Sequence, residues 1–276
     1  MSYVVYTDLD GTLLDHDNYS YQAALPALER LNESGIPVVP VTSKTRAEIE
    51  PLCHELKLNA PFIVENGAAI FIPKVFCTEE ACSELPQVDG YRVKSFAPAI
   101  DFWNALVVEL EKALSGAFVA MNQMSAQQLA DMTSLSLPAA ERALKREYSN
   151  PLQWLGSDEQ LQTLSDICAQ KGVQVVKGGR FVHLLKNSDK GAALVWLNNY
   201  LSEFLEVSDL ESIALGDGEN DIAMQLKADI AVQIRSPAHE FPELEKTSLY
   251  RTEKYGPEGW AEAITKILNS SPKESK

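Results

Sequence analysis

Basic residues are scarce in this chain of 276 residues: 24 Lys and Arg stand against 39 Asp and Glu, a formal net charge of -15. A phosphate backbone needs a basic face, so the balance argues against nucleic acid as a partner. An anionic small molecule stays open, provided that a metal ion, single lysines and backbone amides supply positive charge locally. Cysteine is sparse too. Cys53, Cys77, Cys82 and Cys168 form no CxxC and no zinc spacing with the four histidines, so buried or idle thiols are the reading. No apolar run approaches the roughly 18 residues of a membrane span. Acidic residues arrive at Asp8 before an apolar signal core can form, so no signal peptide is expected and a cytoplasmic location is the default. Repeats and low-complexity tracts are absent, and only Ser270 to Lys276 reads as frayed.

What is present is a globular composition, 45% hydrophobic and 23% charged, at a length that accommodates two domains. Tyr3-Val4-Val5-Tyr6-Thr7 reads as a short buried strand. It runs into Asp8-Leu9-Asp10-Gly11-Thr12. Two carboxylates two residues apart at a strand end lie on one side of the extended chain. Gly11 allows a sharp turn, and Thr12 with the amides after it can face an anion. Such a pair beside a glycine turn suits a hard cation and a phosphate together, with a solvated Asp-rich turn as the alternative.

The spacing predicts a helix over Tyr21 to Leu31, a strand over Ile36 to Val41 and a helix carrying Glu48 and Glu50. Thr42-Ser43-Lys44-Thr45 joins the last two, either as a phosphate site at a helix start or as simple capping by Ser43 or Thr45. Pro61 to Val64 is a third strand ending in Glu65-Asn66-Gly67. Strands alternating with helices imply a parallel sheet with ligands outside its carboxyl ends, where Asp8, Thr42 and Glu65 fall. From about residue 85 the rhythm changes. Strands over Tyr91 to Ala97 and Leu152 to Leu155 alternate with helices over Pro98 to Leu114, Ala126 to Leu135, Pro138 to Glu147 and Asp158 to Lys171. Val173 to Lys177 and Arg180 to Leu185 read as a strand pair across Gly178-Gly179. The first pattern then returns. Asp189 can cap a helix from Lys190 to about Phe204, and the strand Ser212 to Leu215 ends in Gly216-Asp217-Gly218-Glu219-Asn220-Asp221. A helix from Ile222, a strand over Ile230 to Ile234 and an amphipathic helix after Gly256 close the chain. The expected fold is α/β: a Rossmann-like parallel-sheet core over residues 1–84 and 188–276, with an inserted α+β cap over 85–187.

Asp8/Asp10, Thr42, Lys190 and Asp217/Asn220/Asp221, in that order, resemble the four motifs of the haloacid dehalogenase superfamily. A narrower likeness rests on Thr42 to Glu48 (TSKTRAE), Glu65 to Ala68, Gly178-Gly179-Arg180-Phe181, the Gly216 to Asp221 run and Gly256 to Trp260. Over nearly the whole chain these are similar to the mannosyl-3-phosphoglycerate phosphatase family. The resemblance implies a Mg2+-dependent phosphatase that converts mannosyl-3-phosphoglycerate to mannosylglycerate, a compatible solute. It implies Asp8 as nucleophile forming an aspartyl-phosphate and Asp10 as acid/base. It also implies Mg2+ on the Asp8 carboxylate, the Asp10 carbonyl and the Asp217 carboxylate. Thr42, Ser43, Lys190 and Asn220 would bind phosphate, and Asp221 would hold Lys190 or a metal-bound water.

Specificity would come from the cap. Arg180 is the candidate for the glycerate carboxylate, since a guanidinium forks onto it, with a solvated hairpin arginine as the alternative. Lys44 and Arg46 either face the same cleft or sit on an exposed helix end. Asn122, Gln123 and Trp154 are sugar contacts or structural residues. The partner expected is a small phosphorylated sugar or glycerate, with no nucleic acid and no membrane; oligomeric state is not read from the sequence. Rival readings are a phosphatase of glucosyl-3-phosphoglycerate or another sugar phosphate, a sugar phosphomutase, and a non-catalytic phosphosugar binder.

Overall fold

The computed structural model describes residues 2–78, 82–177 and 180–270. The expected Gly178-Gly179 turn and the tail after Ser270 lie outside them. In chain order the strands are β1 (Ser2–Thr7), β2 (Val38–Pro40), β3 (Phe62–Val64), β4 (Ala69–Pro73), β5 (Gln87–Val88), β6 (Tyr91–Ser95), β7 (Phe118–Ala120), β8 (Leu152–Trp154), β9 (Gln174–Lys177), β10 (Val182–Leu185), β11 (Leu210–Gly216), β12 (Ile230–Arg235) and β13 (Leu249–Tyr255). The chain divides into two compact units, Met1–Thr42 with Lys57–Lys94 and Asp189–Lys276, and Ser43–Leu56 with Ser95–Ser188.

The first unit is built on a parallel sheet in the order β13-β12-β11-β1-β2. Parallel strands are covered on both faces, which is why β1 and the second half of β11 read as apolar runs and why Val4, Val5, Tyr6, Ile213, Ala214 and Leu215 are buried. Register decides what meets at the carboxyl edge. Thr7 lies opposite both Pro40 and Leu215. The Asp8 amide donates to the Leu215 carbonyl at 2.9 Å, and the Val41 amide to the Thr7 carbonyl at 2.7 Å. Residues 8, 42 and 217 are therefore brought level by backbone pairing alone.

β3 departs from the expected pattern. It is joined to the end of β2 by a parallel Val41–Ile63 bridge but belongs to a different sheet. Glu65, Asn66 and Gly67 then all take positive φ (50°, 61° and 88°), which reverses the chain into β4. β6 hydrogen-bonds beside β4 in the sheet β3-β4-β6-β5. Tyr91 sets its ring edge-on to Phe62 and Phe71, with centroids 5.4 and 5.8 Å away. This aromatic packing keeps residues 87–94 in the first unit, so the division falls after Lys94 and not at 84/85.

The second unit carries the four-stranded sheet β7-β8-β10-β9, antiparallel throughout. The helices Ile100–Ala113 and Asp158–Gln170 pack Trp103, Leu106, Leu110, Leu164 and Cys168 on it. The helix Arg46–Glu55 also groups here, although it follows β2 in sequence. It is Thr45, not Ser43, that caps this helix: the Thr45 amide donates to Glu48 Oε2 (2.9 Å) and the Glu48 amide to Thr45 Oγ1 (3.2 Å). Arg46 is paired with Glu147 at 2.8 Å.

Candidate active site

The site lies at the carboxyl edge of the parallel sheet, within the first unit. Lys190 is its hub. Asp189 caps the helix Lys190–Phe204 by accepting the Gly191 and Ala192 amides on Oδ1 (2.6 and 2.9 Å). The ammonium of Lys190 is buried and bridges Asp8 Oδ1 at 2.7 Å and Asp221 Oδ1 at 2.6 Å. Its place depends on Gly67, since a Cβ there would stand 2.3 Å from the Asp189 carbonyl carbon and 2.7 Å from the Lys190 nitrogen. Asp221 is itself oriented by the Gly218 amide, 3.0 Å from Oδ2. Asp217 accepts the Thr12 hydroxyl at 3.0 Å. Gly11, at φ +77°, makes room for it, because a Cβ would fall 2.6 Å from Asp217 Oδ2. One ligand oxygen from each of Asp8, Asp217 and Asp221 lies within 4.8 Å of the others.

Three buried carboxylates face one ammonium, and the imbalance appears in their acidities. Burial, then the charge of Asp221, pushes Asp8 up to about 7 against the opposing pull of Lys190. Burial and the charge of Asp8 push Asp217 up to about 6. Burial also raises Asp221, although Lys190 opposes it. Burial alone would lower Lys190, but Asp221 and Asp8 outweigh it and hold the ammonium above its ordinary value. With all three carboxylates ionised the cluster is two positive charges short of balance, the electrostatics of a divalent-cation site.

The remaining expected residues are distributed as follows. Asp10 is half-buried at the head of the turn in which the Thr12 and Leu14 amides both donate to the Leu9 carbonyl (3.1 and 2.8 Å). Thr42 is buried, its amide on the Ile63 carbonyl (3.0 Å) and its carbonyl on the Asn66 amide (2.9 Å). Asn220 is exposed on the short 3-10 turn Glu219–Asp221. Ser43, Lys44 and Arg180 fall in the second unit. There the Ser43 carbonyl accepts Arg146 Nη2 at 3.0 Å, and Arg180 Nη1 donates to the Thr133 carbonyl at 3.0 Å. Of the sugar-contact candidates, Asn122 donates to Asn104 (2.9 Å), Gln123 to Glu111, and Trp154 packs on the core of the second unit.

A family model described as haloacid dehalogenase-like hydrolase matches residues 5–241. The chain belongs to this family. Two relatives match this hydrolase along nearly its full length. A glucosyl-3-phosphoglycerate/mannosyl-3-phosphoglycerate phosphatase of Methanococcoides burtonii is 34% identical over 273 residues, 98% of this chain and 99% of its own. A protein of the same name from Persephonella marina is 34% identical over 275 residues, 96% of this chain and 97% of its own. A solved haloacid dehalogenase-like hydrolase from Bacteroides thetaiotaomicron shares the fold, with a TM-score of 0.66 over 97% of this chain and 100% of its own at 18% identity. This hydrolase is accordingly a phosphoric monoester hydrolase.

Three contacts of the site carried no signal in the sequence. The Thr12 hydroxyl was legible as an anion-facing group, but not as a partner of Asp217, 205 positions away. His239 brings Nε2 to 3.5 Å from Asp217 Oδ2. Trp260 Nε1 donates to Thr7 Oγ1 at 3.0 Å, and that hydroxyl donates to the Asp8 carbonyl at 2.7 Å. The last relay ties the final helix to the backbone of the nucleophile candidate.

Proposed function

We propose that this hydrolase is a Mg2+-dependent phosphatase of glycosyl-3-phosphoglycerates, releasing phosphate and mannosylglycerate from the mannosyl substrate and acting on the glucosyl one as well. The observation that carries the chemistry is Lys190 spanning Asp8 and Asp221 inside a buried acidic cluster. The shared name of the two full-length relatives supports the substrate.

The donors fit Mg2+: hard carboxylate oxygens within 4.8 Å of one another, in a cluster with surplus negative charge. Asp8 and Asp217 would hold it with the Asp10 carbonyl, while Asp221 is taken up by Lys190. When bound, the ion supplies neutralisation of charge on the phosphoryl oxygens. The other steps belong to side chains. Asp8 attacks phosphorus in line, its new O–P bond replacing the ester P–O bond. Asp10 gives a proton to the departing glycerate oxygen, then takes one from the water that breaks the aspartyl-phosphate bond and releases phosphate. Lys190 offsets charge on the transferring group, and Thr42, Ser43 and Asn220 bind its oxygens. The second unit is the cap that selects the substrate, with Lys44 and Arg180 as contacts to the glycosyl glycerate. The test is phosphate release from a panel of sugar phosphates that includes both glycosyl-3-phosphoglycerates, with EDTA and with Mg2+ restored. The expected outcome is the highest kcat/KM on the two glycosyl-phosphoglycerates, abolished by EDTA and regained with Mg2+. Faster turnover of simple hexose phosphates would contradict the substrate.

A further inference from the structure

Arg235 closes β12, the strand next to β11, and the parallel register pairs Gly216 with Gln233. Two residues on, Arg235 therefore stands beside the Asp217 loop at the carboxyl edge. A register shift between Gln233 and Arg235 sets it opposite Tyr255 at the end of β13. Its guanidinium lies 5.8 Å from the Tyr255 ring and 5.9 Å from the Phe241 ring, and donates to no carboxylate or carbonyl among the described residues. The nearby Arg251 differs, since its Nε is spent on Gln233 Oε1 at 2.8 Å. In a chain with fifteen surplus negative charges, an arginine without a carboxylate partner is a cation held for something else. Aromatic rings hold a guanidinium by its faces and leave its edge donors free, the geometry that forks onto a carboxylate.

The cleft around it measures about 350 Å³ and is lined by Arg235, Ser236, His239, Glu240, Phe241 and Tyr255, among others. It adjoins the active site at two points. His239 touches Asp217. Gly256, directly after Tyr255, abuts the turn after Asp8, with the Cβ position 3.9 Å from the Gly11 carbonyl oxygen. We infer that this cleft is a second anion subsite in the core unit, where Arg235 takes the carboxylate of a phosphoglycerate whose phosphate sits at Asp8. The inference rests on the glycosyl-3-phosphoglycerate reading for its physiological ligand. It assigns the carboxylate to Arg235 and leaves Arg180 to the glycosyl end.

The test compares two competitive inhibitors of p-nitrophenyl phosphate hydrolysis by the Mg2+-loaded enzyme: 3-phosphoglycerate, and glycerol 3-phosphate, which has a hydroxymethyl group where the former has its carboxylate. The wild type is expected to favour 3-phosphoglycerate. Arg235→Gln is expected to reduce that preference by about 10- to 100-fold, the loss of one charge-assisted hydrogen-bonded pair. Arg235→Lys should restore part of it. A merely structural role would weaken both inhibitors alike and leave the ratio unchanged, which overturns the subsite. Equal affinity for the two in the wild type overturns it too. If the preference tracks Arg235 while neither glycosyl-3-phosphoglycerate is hydrolysed, the subsite stands and the proposed substrate falls.

Discussion

The two units of this hydrolase carry sheets of similar size and opposite logic. In the parallel sheet of the first unit every strand points the same way, so the loops after β1, β11 and β12 all open on one edge. Asp8 and Asp221 can then converge on the Lys190 ammonium from distant parts of the chain. In the antiparallel sheet of the second unit, neighbouring strands end on opposite edges. Its polar groups pair with one another within the unit instead, as in Asn122 with Asn104 or the Arg46–Glu147 ion pair. Parallel topology gathers charge at one place, and antiparallel topology offers a face.

This contrast can be broken or sharpened by substitution. The largest effect is expected for Asp8→Asn. It removes the proposed nucleophile with little change of shape, so phosphate release should fall by about 1000-fold or more while the circular dichroism spectrum stays native. Retention of a tenth of wild-type turnover would contradict the assignment. Lys190→Met should lower kcat by roughly 100- to 1000-fold, since it deletes the charge proposed to offset the transferring group. It should also lower the melting temperature, because Asp8 and Asp221 are left buried without their cation. A melting temperature equal to wild type would argue that the cluster is not electrostatically held by Lys190.

Leu164→Ala probes the other side of the comparison. Leu164 is fully buried in the core of the second unit, and the truncation should cost about 2–5 kcal/mol of stability in denaturant titration. Turnover of p-nitrophenyl phosphate by the folded variant should remain near wild type, because the proposed chemistry draws on side chains of the first unit. A loss comparable to Lys190→Met would dissolve the distinction.

The smallest effect is a pH dependence. Asp8 and Asp217 are raised to about 7 and about 6, against an unfolded value of about 3.9. Between those values the folded, metal-free chain keeps protons that the unfolded chain gives up. These groups therefore add stability fully below about pH 4 and lose it as pH rises through 6 to 7. Ionised carboxylates are also what a divalent cation binds. Mg2+ should thus raise the melting temperature more at pH 8 than at pH 5, as read by differential scanning calorimetry. Equal shifts at both values would contradict a carboxylate cation site.

What the sequence disclosed follows the same contrast. β1, β11 and the helix Lys190–Phe204 were legible because buried parallel strands are continuously apolar and Asp189 marks the helix start. β13 was not. Its Leu-Tyr-Arg-Thr-Glu-Lys-Tyr run lies at the sheet edge, largely exposed, and so lacks an apolar pattern. The break after Lys94 was hidden because Tyr91 is held by rings at positions 62 and 71, which no local spacing records. In the site, the motif residues announced themselves by type and order. His239 and Trp260 did not, since their partners, Asp217 and Thr7, lie far away in sequence.

The central claim is that the side chain of Asp8 itself carries the phosphoryl group. The most direct measurement is acid quench of a single turnover with 32P-labelled substrate, followed by peptide mapping. The expected result is label on the peptide containing Asp8, stable in acid, released by hydroxylamine, and absent from Asp8→Asn. Stoichiometric turnover with no covalent label at any quench time, or label on a peptide without Asp8, would contradict it.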